Sequence, residues 1–72
     1  MEETFWGLSV QQILGMDYED IPACIYENSN MEVTAIVEKV TMMRQKARGQ
    51  AFKLACSRII SAMINGPDVL NF

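Results

Sequence analysis

Histidine is absent from this chain of 72 residues, and its four glycines, two prolines and two cysteines are scattered singly. Without histidine the commonest general base and metal ligand is missing. Isolated glycines cannot form the loop that cradles a phosphate. Two cysteines are too few for a disulfide framework, and without a third thiol or an imidazole they make a poor zinc site. No apolar run approaches the roughly 20 residues of a membrane span. Cys24 and Cys56 are therefore expected as buried free thiols. No signal-peptide pattern opens the sequence, so the expected compartment is reducing and cytoplasmic. The alternative, a single Cys24–Cys56 bridge, requires the first half of the chain to pack on the last helix. Ser57 beside Cys56, Lys53 one turn before Ser57, and the acid pair Glu19–Asp20 are all that resembles reactive chemistry. On small apolar helices such residues serve packing and surface, so neither an enzyme nor a cofactor is expected.

Apolar residues, by contrast, make up 50% of the chain. Val33, Ile36, Val40, Met43 and Ala47 recur at spacings of 3, 4, 3 and 4, which places them on one helical face. Phe52, Cys56, Ile59 and Met63 form a second stripe, widened by Ala55 and Ile60. The stripes do not join: five residues separate Ala47 from Phe52, which rotates the second face roughly half a turn from the first. Gly49 lies in the gap. The spacing predicts two helices, about 31–47 and 50–65, bent or folded back near Gly49. One continuous helix with different partners on its halves is the alternative. Ser29 with Glu32 fits a capping box for the first helix, with Asn30 as the other candidate cap. Asn65-Gly66-Pro67 marks the stop of the second.

Charge is sorted along the chain. Lys39, Arg44, Lys46, Arg48, Lys53 and Arg58 are the only bases, and no acid lies among them. Eight of the nine acids precede Lys39, so a net charge of −3 conceals a block of +6 beside one of −8. Exposed, the six cations would suit phosphates, an anionic membrane surface or the acidic groove of a partner. The competing expectation is that the cations simply face water or pair with the chain's own acids, within the chain or across a dimer, because opposite blocks in one short chain attract each other.

Ahead of that block, Phe5 and Trp6 are adjacent and are expected to cap the core or to anchor a partner. Ser9 with Gln12 is a second capping box, opening a short helix that ends at Leu14 with Gly15 as its C′ residue. Pro22 suits the first turn of another short helix at about 22–27. Aligning Gly15 with the turn glycine of a helix-turn-helix puts Val10, Leu14, Met16, Ile21 and Cys24 on apolar positions of that motif. Asp17, Glu19 and Asp20 would then repel DNA, and Pro22 would interrupt the reading helix. The segment is expected as a helical corner packed on the long helices. Val69, Leu70 and Phe72 make the tail apolar, and it is expected to dock on this chain or another.

The fold expected is a single all-α domain: an acidic N-terminal part with two short helices (1–28), the main helical stretch (29–66) and an apolar tail (67–72). The function class expected is a non-catalytic regulator, inhibitor or adaptor that binds another protein, and itself as a homodimer. One seam (Val33, Ile36, Val40, Met43) or the other (Phe52, Ile59, Ile60, Met63) would build the monomer core, and the remaining one would meet the partner. Nucleic-acid binding through Lys39–Arg58 is the alternative. An acidic partner face at Asp17, Glu19 and Asp20 is a third expectation.

Overall fold

The computed structural model describes residues 4–65, in four α-helices and one 3-10 turn. The break near Gly49 is present: α3 spans Val33–Lys46 and α4 spans Gln50–Asn65, and the two pack on each other more extensively than any other pair. Extended backbone at Ala47 (φ −69°, ψ 144°) ends α3. Gly49 then accepts the first α4 bond, from the Lys53 amide at 3.1 Å. Gly49 is not in the left-handed region, so the chain is redirected by extension at Ala47 rather than by a glycine-only conformation.

Folding back solves the half-turn mismatch of the two stripes. Each helix turns its own stripe inward, and both stripes enter one core. Ile36 and Val40 of α3 and Phe52, Ala55, Cys56, Ile59, Ala62 and Met63 of α4 are buried. This corrects the expectation that one seam stays free for a partner. On antiparallel neighbours joined by a short turn, two inward-facing stripes satisfy each other.

The N-terminal elements cover what remains of that core. α1 spans Val10–Gly15 and opens with the expected capping box: Ser9 Oγ accepts from the Gln12 amide (3.1 Å), and the Ser9 amide donates to Gln12 Oε1 (2.8 Å). Gly15 is the last helical residue, not a left-handed C′ residue, because Met16 leaves the helix in an extended conformation. The 3-10 turn Tyr18–Asp20 leads into α2, Ile21–Ser29, with Pro22 in its first turn, where a missing N–H costs nothing. The α1 and α2 helices both pack chiefly on α4 rather than on each other, so no helix-turn-helix pair forms.

The cap expected at Ser29 is also corrected. α2 runs on through Ser29, and Ser29 Oγ accepts from the Met31 amide (3.2 Å). Asn30 ends α2 in the left-handed region (φ 57°, ψ 35°), its amide bonded to the Tyr26 carbonyl at 2.9 Å. Asparagine tolerates this conformation better than other side-chain-bearing residues, which is why it closes α2 instead of opening α3. α3 begins two residues later than expected, with Glu32 as a cap that makes no side-chain bond.

Before α1, Phe5 and Leu8 exchange both backbone hydrogen bonds (2.8 and 3.1 Å) around Trp6 and Gly7, whose φ values are 53° and 91°. Two positive φ angles make the tight turn whose twist suits paired extended segments. The turn buries Phe5 completely and stacks its ring on Phe52, with centroids 4.9 Å apart and planes 14° from parallel. Phe5 therefore caps the core, and Trp6 packs half-buried against it. Glu2, Glu3, the Gly66-Pro67 stop and the tail residues Val69, Leu70 and Phe72 lie outside the described residues.

Candidate functional site

The hairpin fold gathers most of the sequence's basic block toward one end, with Lys39 in the middle of α3 beside Glu38. Arg44 and Lys46 close α3, Arg48 lies in the connection, and Lys53 is in the first turns of α4. Lys39 stands two turns before Lys46, about 10 Å back along α3. All five are exposed. Arg44 Nη1 donates to Ser57 Oγ across the hairpin at 3.3 Å, which spans α3 and α4 without neutralising the charge. Basic residues in the last turn of α3 also suit the negative end of its dipole.

Arg58 behaves differently. It is half-buried, and its Nη2 donates to the Met16 carbonyl at 2.8 Å, while its Nε is buried without a hydrogen-bond partner. Arg58 thus ties the segment after α1 to α4, and its Nη2 is committed to that carbonyl, whereas the other five cations are exposed. The sequence offered no sign of this, because the carbonyl it meets is distant in the chain.

Most of the acids occupy the other end. The Tyr18 hydroxyl is hydrogen-bonded to Ser61 Oγ, which holds Asp17, Glu19 and Asp20 beside the far half of α4. Ser61 lies roughly 16 Å along α4 from its start at 1.5 Å per residue. Glu32, at the start of α3, is about 20 Å from Lys46 by the same measure. Glu38 is the exception, standing in the middle of α3. Asp17, Glu19, Asp20, Glu27, Glu32 and Glu38 are exposed. Among the described residues no carboxylate lies within the 4.0 Å of an ion pair from any of the six cations. Of the competing expectations, pairing of acids and bases within the chain is therefore not met among these residues, whereas five of the six cations do face water. The reason is geometric: the fold holds the bulk of the two blocks at opposite ends of a hairpin.

Of the expected seam residues, Ile36, Val40, Phe52, Ile59 and Met63 are buried, and Val33, Met43 and Ile60 are partly buried against the same core. The large apolar side chains that do face solvent are Tyr26, Met42, Leu54 and Ile64, the last 64% exposed. None of these was singled out from the sequence. Met42 and Leu54 lie off the stripes, and their spacing carries no signal of its own.

Every buried side chain among the described residues is apolar. Cys24 is a half-buried free thiol, with Asn28 Nδ2 3.6 Å from its sulfur, and Cys56 is buried in the core. No group of three or more His, Cys, Asp or Glu residues that could hold a metal occurs among the described residues. No helix there is long and apolar enough to cross a membrane. No family model, curated protein or solved structure matches the chain.

Proposed function

We propose that the chain is a non-catalytic interaction module, a small regulator, inhibitor or adaptor that works by binding another macromolecule through its helical surfaces. The observation that supports this reading is the division of its groups between inside and outside. The described core is wholly apolar, and the charges other than Arg58 are exposed and sorted largely to the two ends of one hairpin. Such a surface has a strong and oriented field, which steers association and selects partners by charge. Beside the basic residues, Met42 and Leu54 add exposed apolar area of the kind that partners cover. Self-association, if it accompanies this role, has to use residues such as these, since a dimer built on Ile36, Val40, Phe52 or Ile59 would require the core to open.

Photo-crosslinking in the source cells tests this. A photoreactive residue is placed in turn at Asp20, Met42, Arg48 and Leu54, all exposed. The expected result is a discrete protein or nucleic-acid adduct from at least one position and none from a probe at buried Ile59. No adduct from any exposed position would refute the reading.

A further inference from the structure

We infer that the basic end of the α3–α4 hairpin binds the phosphate backbone of duplex nucleic acid, without reading its sequence. This rests on the interaction-module reading and names its partner. Three observations carry it beyond the charge count. First, the cations are available: Lys39, Arg44, Lys46, Arg48 and Lys53 are exposed, and no described carboxylate pairs with them. Acids folded over this end would have excluded phosphates, and the described acids other than Glu38 lie toward the other end.

Second, the groups exposed from Arg44 to Lys53 are those that contact phosphates. They are Arg44, Lys46, Arg48 and Lys53, with Gln45, Gly49, Gln50 and the small Ala51 between them. Arginine, lysine, glutamine and open backbone make most contacts to phosphate and sugar oxygens. A protein partner would favour an apolar or aromatic anchor at the centre of the patch, whereas the exposed Met42 and Leu54 flank the Arg44–Lys53 stretch rather than lie within it. Here Phe52, the only aromatic residue between Lys39 and Arg58, is buried against Phe5. The same burial argues for a duplex over a single strand, because no aromatic platform is left there for unpaired bases to stack on.

Third, the cations are spread over two helices and their connection rather than along one face. Lys39 and Lys46 are separated by about 10 Å on α3. Arg48 and Lys53 extend the patch onto α4. A surface of this breadth meets several phosphates at once. The acidic end, held away by the Tyr18–Ser61 contact, is repelled by the same polyanion and orients the hairpin tip-first.

The test is fluorescence anisotropy of a short labelled DNA duplex titrated with the full chain from low to physiological salt. A single strand of the same length and a labelled polyglutamate serve as parallel probes. Expected is duplex binding at low salt whose log Kobs falls with log salt at a slope of about −2.5 to −4.5, up to five phosphates at roughly −0.9 each. Lys46→Gln/Arg48→Gln/Lys53→Gln should weaken duplex binding about tenfold or more at low salt, as three phosphate contacts are lost. Circular dichroism should show that variant folded. Asp17→Asn/Glu19→Gln/Asp20→Asn should bind as well as the parent or better. Duplex binding that survives loss of the three cations overturns the assignment to the hairpin tip, and tighter binding of the single strand overturns the choice of duplex. Binding of polyglutamate alone overturns nucleic acid as the partner but leaves the interaction-module reading standing. Absence of binding to every probe also overturns the inference, whereas the broader reading falls only if the crosslinking positions are silent too.

Discussion

Two glycines, Gly7 and Gly15, should respond oppositely to the same added methyl group. Gly7 has a φ of +91°, and a methyl group there would meet no atom within 4 Å, so the penalty of Gly7→Ala is purely backbone. A left-handed alanine costs roughly 1–2 kcal/mol, and that loss is expected in urea unfolding. Gly15 is helical, is equally unobstructed and does not have a positive φ. Gly15→Ala should therefore stabilise the protein by about 0.5 kcal/mol, mainly by restricting the unfolded chain. A lower unfolding midpoint for Gly15→Ala would mean that α1 ends on a left-handed glycine after all. Trp6 adjoins Gly7 with its own positive φ of 53°, unusual for so large a side chain. Burial of Phe5 on one side and packing of the indole on the core hold it there.

The docking of the N-terminal elements on α4 depends on two polar contacts as well as on apolar burial. Arg58 holds the Met16 carbonyl, and Tyr18 holds Ser61. Tyr18→Phe and Ser61→Ala should each cost about 1 kcal/mol, typical of one hydrogen bond. The double variant should cost little more than either single one, because the two hydroxyls act as a unit. Additive losses in thermal melts would show that the contact contributes nothing. Between the long helices the stakes are higher. Val40 and Ile59 are fully buried on facing stripes. Val40→Asp or Ile59→Asp would bury an unpaired carboxylate at a cost of several kcal/mol, comparable with the whole stability of a small domain. Circular dichroism should show unfolding in both variants. A folded variant that merely changed its mass in size-exclusion light scattering would show instead that these residues form an interface.

All four helices and the Phe5–Leu8 turn share one hydrophobic cluster. A chain this short cannot divide such a core into independent parts, so unfolding should be a single transition. Trp6 fluorescence reports the N-terminal turn, and helical circular dichroism reports mainly α3 and α4. Their thermal midpoints should coincide. An earlier fluorescence transition would mean that the turn detaches while the hairpin persists. Electrostatics at this level follows from topology: reversal of the chain between α3 and α4 keeps the acidic and basic blocks apart instead of pairing them.

Much of this architecture is legible in residue order because it follows from local chemistry. Helical periodicity located both stripes, the half-turn mismatch at Gly49 favoured a break over one continuous helix, and Ser9 with Gln12 started α1 as their side chains demand. These features involve residues within a few positions of each other, where backbone geometry leaves few options. Signals shared between neighbouring elements were ambiguous. Ser29 and Asn30 are good start residues and good end residues, and the length of α2, which depends on burying Ile21 and Ile25 against the core, assigned them to its end. Contacts distant in sequence settled the rest: both stripes face one core, Arg58 turns inward to Met16, and the remaining five cations stay exposed. Composition fixes how much charge and apolar surface a chain carries, but only the path of the backbone through space determines which groups meet and which are left facing solvent.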